Sequence, residues 1–330
     1  MRIERVLFLC FTLLLVLTTS AQKQNRQQKF PKVVPAGNYS GITPLGDDRY
    51  AVVCDKSAED GFHVFRIIIN ERSGRIKSMA YEGFRSSGQP NRDQEGIAYV
   101  PQTGTLFISG ETDMEILECR LDGKRTGRRL NIPQVFKTAT KNYGFEALTY
   151  DEQEQLFWTT SESTLPPDGT QASPQNHIAN RLRLQSFGLD MEPKNMYFYE
   201  TDTPTGKKPC AIYALGVCGM CALGDGRLLV LEREAYVKKR KVGSYIHNKI
   251  YIVEPEVLQP GRDVLVKSLL CEFRTRFNLL RRNYANYEGI CLGPRLADGR
   301  RVLLLVSDSQ NQYKGLMRDW FKTIVLDEKK

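Results

Sequence analysis

The chain has 330 residues, 41% of them hydrophobic and 26% charged, with a formal charge of +9. That composition belongs to a globular domain able to bury a full core, and it excludes a disordered or low-complexity chain. The positive charge favours anionic partners in a general way, but no nucleic-acid-binding motif accompanies it, so nucleic acid is set aside as a partner.

In chain order, Met1–Ala21 reads as a signal peptide. Arg2 and Arg5 form the basic start, Val6–Leu17 the apolar run, and Thr19-Ser20-Ala21 a cleavage site before Gln22. The run is too short for a transmembrane helix, and no later stretch is apolar enough to replace it. The expectation is an exported, soluble protein with no membrane-spanning segment once the leader is removed. The junction of Ala21 with Gln22 is similar to Bacteroidetes leaders, which places the protein in the periplasm or outside the cell. Residues 22–28 are polar and read as a flexible tether; residues 29–330 read as one domain.

That domain reads as strands separated by turns. Lys29–Val34 is a short strand. Tyr39–Pro44, Arg49–Cys54, Phe62–Ile69 and Ile76–Tyr81 form a first four-stranded unit. The second unit is Gly96–Val100, Thr105–Ser109, Glu115–Leu121 and Arg129–Ile132. The third is Ala147–Tyr150, Leu156–Thr160, Arg181–Phe187 and Met196–Tyr199, with a polar insertion at Ser163–Asn180. Val217–Leu223, Leu228–Leu231, Lys249–Val253 and Val264–Cys271 make the fourth, with Lys238–Lys241 as a solvated basic loop. The fifth offers only Gly289–Leu292, Val302–Val306 and Phe321–Leu326. Lys29–Val34 is expected to pair with Phe321–Leu326, closing the ring and covering an edge. Arg274–Arg282 is the one short helix expected.

Repetition of the unit gives the fold class: all-β, a β-propeller of four-stranded blades. Five blades are counted; a sixth, degenerate blade in one of the two longer intervals is the alternative. Each unit begins with a hairpin, and acids recur at its two ends. Glu95 pairs with Glu111 in QEGIAYVPQTGTLFISGE, and Glu146 with Glu162 at the same spacing in FEALTYDEQEQLFWTTSE. Glu288 and Asp308 flank the fifth copy. In the first copy Ser40 faces Asp55, and in the fourth only the second acid, Glu232, is kept. The ends of an antiparallel hairpin lie side by side. A radial arrangement therefore collects these acids at one mouth of a central channel.

The series YSGI…CDK, DQEGIAYVP…ISGE, GFEALTYD…TTSE, LLVLERE and NYEGICLGPRLADGRRVLLLVSD resembles the phytase-like family, also called "esterase-like activity of phytase". The resemblance runs from about Gly37 to Asp308. It implies a β-propeller and a hydrolytic activity. No Arg-His-Gly motif, Gly-x-Ser-x-Gly elbow or Asp-Asp-Pro-Ala run is present to supply a catalytic residue.

Two readings of the acids stand beside each other. As structural ties, they accept backbone N–H bonds between blades. As a site, they hold Ca²⁺ or another divalent cation, because crowded carboxylates repel unless a cation, a base or a proton intervenes. On the second reading Asp55, Glu111, Glu146, Glu162, Glu232 and Asp308 are metal ligands. Glu95 and Glu288 are then the candidates for a catalytic carboxylate, and Arg92, Lys56 and Arg233 bind an anionic group of the ligand. The function expected is that of an exported, monomeric hydrolase acting on a small phosphoester or related ester. The alternative is a non-catalytic propeller that binds a glycan, a peptide or an envelope partner. His63, His177 and His247 are isolated and carry no site. Cys218 and Cys221 have redox-motif spacing but lie on a strand, and the other strand cysteines read as small core groups.

Overall fold

Both faces of most strands are apolar, as in Val302–Val306 (VLLLV) and Leu228–Leu231 (LLVL), so each sheet must be covered on both sides. A computed structural model describes residues 22–278 and 283–327 of the chain; the expected signal peptide lies outside them. Five four-stranded antiparallel sheets solve the covering problem by packing face to face around an axis. The fold is a five-bladed β-propeller, as the repeats predict. Blade 1 is β2 (Tyr39–Gly46), β3 (Arg49–Cys54), β4 (Glu59–Ile69) and β5 (Ile76–Pro90). Blade 2 is β6 (Gln94–Val100), β7 (Thr105–Gly110), β8 (Glu115–Arg120) and β9 (Arg125–Arg129). Blade 3 is β10 (Phe145–Asp151), β11 (Leu156–Ser161), β12 (Arg181–Gly188) and β13 (Pro193–Glu200). Blade 4 is β14 (Ile212–Ala222), β15 (Leu228–Val237), β16 (Tyr245–Leu258) and β17 (Leu265–Arg276). Blade 5 is β18 (Asn286–Arg295), β19 (Arg301–Asp308), β20 (Phe321–Leu326) and, at its outer edge, β1 (Lys23–Gln24).

Each gap between successive blades holds its own core. Val53, Phe62 and Val64 meet Ile97 and Ile108 between blades 1 and 2. Phe107 and Ile116 meet Phe145 and Phe157 between blades 2 and 3. Trp158 and Leu184 meet Val217 and Val230 between blades 3 and 4. Leu229 and Ile250 meet Leu303 and Ile324 between blades 4 and 5. Val302, Leu304 and Phe321 meet Tyr39 and Phe65 where the ring closes. The cysteines at 54, 119, 218, 221, 271 and 291 belong to these cores, and all seven described cysteines are free.

The closing strand is an N-terminal one, but not the one expected. Lys23 and Gln24 pair with Val325 and Ile324, and Gln28 bridges Phe321. The stretch read as a tether is therefore the outer edge of blade 5. Lys29–Val34 forms a turn instead, in which Val33 and Val34 donate to the Phe30 carbonyl. Pro31 has no N–H to give a ladder, and Phe30 packs edge-on against Phe321. Two smaller differences follow the same logic. The outer strand of blade 2 lies at Arg125–Arg129, earlier than expected. Arg274–Arg276, placed in a helix by the sequence, continues β17; the last part of that expected helix, residues 279–282, lies outside the described residues. The helices described are short 3-10 turns at Gln134–Thr138, Pro166–Asp168 and Tyr313–Gly315, and none is long and apolar enough to cross a membrane.

Candidate functional site

The inner strands β2, β6, β10, β14 and β18 stand next to one another around the channel. Each carries a register shift, at Tyr39/Gly41, Gln94/Ile97, Phe145/Ala147 and Tyr287/Gly289 near the strand start and at Val217/Gly219 midway along the longer β14. A bulge breaks the alternation and re-aims one side chain. The residues at this position are Ser40, Glu95, Glu146, Cys218 and Glu288. In four of the five copies the next residue is glycine, because neighbouring inner strands approach too closely for a side chain. A Cβ at Gly41 would collide with the backbone oxygen of Glu95, and one at Gly219 with that of Glu288. Further along each inner strand, Ile42, Ile97, Leu148, Met220 and Ile290 form an apolar ring that lines a second cavity of about 560 Å³.

The strand register places a second ring. Tyr39 faces Cys54, Phe145 faces Ser161, Tyr287 faces Ser307 and Val217 faces Glu232. The residues one step further are Asp55, Glu162, Asp308 and, in blade 4, Arg233, with Glu111 in blade 2. The fifth position of the acid ring is thus an arginine. Its guanidinium joins Glu162 of blade 3 to Glu288 of blade 5, with both carboxylates buried, and also donates to Asn286 Oδ1 at 3.2 Å.

These groups open on one cavity of about 670 Å³. It brings together Asp55, Glu95, Glu111, Glu146, Glu162, Glu288 and Asp308 with Lys56 and Arg233, as the sequence predicts. Two predicted residues lie elsewhere. Glu232 points into the outer part of blade 4, where it accepts from Tyr199 Oη at 2.6 Å, Lys267 Nζ at 2.6 Å and the Asp202 N–H at 3.1 Å. Arg92 is buried against blade 2, with Nη1 3.0 Å from Asp113 and Nη2 donating to the Ile108 carbonyl. The sequence reading missed three polar residues of the mouth: Asp93, which pairs with Lys56, Asn286, and Lys241, which was expected in a solvated basic loop. Asp93 has φ 59° at the entry to its inner strand. The equivalent entry residues, Asn38, Gly144, Gly216 and Asn286, have no positive φ, so this conformation is particular to blade 2.

Among the described residues, eight carboxyl groups line the cavity against three cations, Lys56, Arg233 and Lys241. Burial pushes Asp55 up to about 7, reinforced by Asp308 and opposed by Lys56. Burial also raises Glu95 and Glu146 well above the carboxylate range, and neighbouring acids add to it. Glu288 is raised by burial although Arg233 pulls it back. Burial likewise raises Asp308 and Glu111, opposed by hydrogen bonds from Gln310 and from the Gly144 N–H. Lys56 is raised despite burial, chiefly by its bond to Asp93. One oxygen from each of Asp55, Asp93 and Glu95 falls within 4.8 Å of the other two. Within this trio Asp55 Oδ1 is buried without a hydrogen-bond partner. At the bulge position, Ser40 Oγ donates to the Gln94 carbonyl at 2.8 Å and Cys218 Sγ to the Tyr287 carbonyl at 3.3 Å, tying adjacent blades. The histidines lie away from the mouth. His63 is held down to about 4 by burial among Tyr39, Phe65 and Phe84, His247 bonds Glu272 at 2.7 Å, and His177 sits in the 163–180 loop.

Comparison with known proteins adds a family. The profile described as "Phytase-like: Esterase-like activity of phytase" matches residues 34–310. No curated protein matches. Among solved structures, the chain is similar to an endo-arabinase from Bacteroides thetaiotaomicron (13% identity, TM-score 0.48), covering 90% of this chain and 98% of that one. It is also similar to the RS223 beta-xylosidase (7% identity, TM-score 0.49, 92% and 96% covered) and to a luciferin-regenerating enzyme (11% identity, TM-score 0.44, 92% and 96% covered). With the profile spanning most of its length, this five-bladed propeller belongs to the phytase-like family.

Proposed function

We propose that the acidic mouth is the active site of an exported, divalent-cation-dependent hydrolase acting on a phosphoester or related ester. The observation that carries this reading is the trio Asp55, Asp93 and Glu95, whose oxygens converge within 4.8 Å. The donor set fits the group: three hard carboxylate oxygens suit Ca²⁺ or Mg²⁺, and the buried Asp55 Oδ1 lacks any other partner. When bound, such a cation polarises the scissile oxygen and makes water a better nucleophile at neutral pH.

The chain's own groups do the rest. Lys56 already balances Asp55 and Asp93 from the solvent side, so the trio stays assembled. Glu288 takes the proton from the attacking water; burial raises its proton affinity above that of an exposed carboxylate, and Arg233 opposes that rise. Arg233 and Asn286 hold its carboxylate in one orientation. Glu146, whose proton affinity is raised by burial and by the neighbouring Glu162 and Glu288, returns a proton to the leaving oxygen. The test is turnover of 4-nitrophenyl phosphate and 4-nitrophenyl acetate with and without a chelator. Chelation abolishes turnover, Ca²⁺ or Mg²⁺ restores it, and Glu288→Gln lowers kcat by about 10²–10⁴-fold. No turnover on either class under any metal condition overturns the reading. It favours the competing one, a binding module, which draws on the blade-tying role of Ser40 and Cys218.

A further inference from the structure

The mouth is not acidic all round. The hairpin of blade 4 outgrows the others: β14 and β15 run to 11 and 10 residues, against 7 and 6 for the hairpin strands of blades 2 and 3. The extra length lies beyond Arg233, where Ile212 pairs with Val237 and Ala214 with Ala235. Residues two apart on a strand share a face, so Ala235 and Val237 continue the face that Arg233 starts at the ring. All four line the cavity, and Ile212 is 58% exposed. Beside them a small core of Ile246, Tyr284 and Met317, with Phe277 and Ala235 packed on it, also borders the cavity. The Tyr284 hydroxyl is buried there without a hydrogen-bond partner. One side of the mouth is thus a carboxylate bowl and the other a standing apolar wall, around a volume that suits a small ligand.

We propose that the substrate is an ester carrying a bulky apolar acyl or aryl group, seated against Ile212, Val237, Phe277 and Met317 with its ester end among the acids. This rests on the hydrolytic reading above and names its substrate class. Apolar contact is rewarded in proportion to the area buried, and each methylene that reaches the wall is worth about fourfold in binding.

Two readouts test it. In a series of 4-nitrophenyl esters from acetate to octanoate, kcat/KM rises about fourfold per methylene until the wall is filled. Inositol hexakisphosphate, which offers no apolar group to the wall, is hydrolysed more slowly than the best ester. Ile212→Asp and Val237→Asp flatten the chain-length dependence. Independently of catalysis, the neutral fluorophore N-phenyl-1-naphthylamine brightens on binding the wild type, and the two variants weaken that binding by about tenfold or more. Glu288→Gln leaves it unchanged. Because Ile212 is exposed, its variant is expected to melt with the wild type. If no ester is turned over but the fluorophore binds and Ile212→Asp weakens it, the hydrolase reading falls and the apolar seat stands. If esters are turned over with no chain-length dependence and the variants bind the fluorophore as the wild type does, the seat is wrong. Faster turnover of inositol hexakisphosphate than of any ester also overturns it.

Discussion

Removing the arginine from the acid ring should destabilise the protein in a strongly pH-dependent way. Arg233 is 7% exposed and is the cation shared by the buried carboxylates of Glu162 and Glu288. Arg233→Gln keeps the polarity and removes the charge. Breaking a buried pair from one side costs about 3–5 kcal/mol, because the carboxylates are left uncompensated. The sign with pH follows from proton affinity. Burial already raises Glu288 above its ordinary value, and Arg233 is what pulls it back. Without Arg233 the folded chain holds a proton that the unfolded chain releases near pH 4.3. Stability then falls as pH rises from that value through the raised folded one. Toward low pH the neutral carboxyl is favoured in the folded variant, and the loss shrinks toward about 1 kcal/mol, the worth of a hydrogen bond. Toward pH 8 the loss grows toward the whole cost. With an unfolding entropy of about 2.1 cal/mol/K per residue over roughly 300 residues, about 4 kcal/mol lowers Tm by about 6 °C. Differential scanning fluorimetry of both proteins at pH 5 and pH 8 reads this directly. An equal Tm loss at the two pH values, or none at pH 8, refutes the reasoning.

Three further outcomes follow from the same geometry. Gly219→Ala puts a methyl group into the Glu288 backbone oxygen, where two inner strands meet, and should cost more than about 3 kcal/mol and reduce soluble yield; a variant that melts with the wild type contradicts the close approach. Deleting residues 22–28 uncovers the edge of β20 and removes the bonds from Asn25 and Gln28 to it, so Tm falls and aggregation on heating rises. Unchanged melting would show that the outer strand is dispensable. Asp93→Asn and Glu232→Gln should separate cleanly by calorimetry: the first weakens Ca²⁺ binding by about tenfold or more with little effect on Tm, while the second leaves Ca²⁺ binding intact and destabilises by about 1–3 kcal/mol through the partners it orphans.

Much of this could be read in the sequence because a propeller writes its plan repeatedly. Strands buried on both faces give unbroken apolar runs, and the bulge residue with its glycine recurs as YSGI, QEGI, VCGM and YEGI. Where the sequence misled, the cause was local. Counting acids aligned Glu232 with Asp55, but strand pairing aligns Glu232 with Cys54 and Arg233 with Asp55. A slip of one residue sends a side chain to the other face of a strand, so Glu232 left the channel and Arg233 entered it. Arg92 drew attention by standing beside Asp93, although it turns the other way to reach Asp113. The outer strand at Lys23–Gln24 escaped notice because an edge strand facing solvent needs no apolar residues. The apolar Phe30, Val33 and Val34 were more visible, yet they fill the closing core from a turn. Nothing in the repeat announced the long hairpin of blade 4, since its extra residues lie outside the repeated motif.

The central claim is that Asp55, Asp93 and Glu95 form a cation site. Crystals soaked in Mn²⁺ and measured for anomalous scattering test it most directly. The account predicts one strong anomalous peak within about 2.5 Å of an oxygen from each of the three carboxylates, with Lys56 swung away from Asp93. An anomalous map with no peak in the mouth, at a Mn²⁺ concentration that supports turnover, contradicts it.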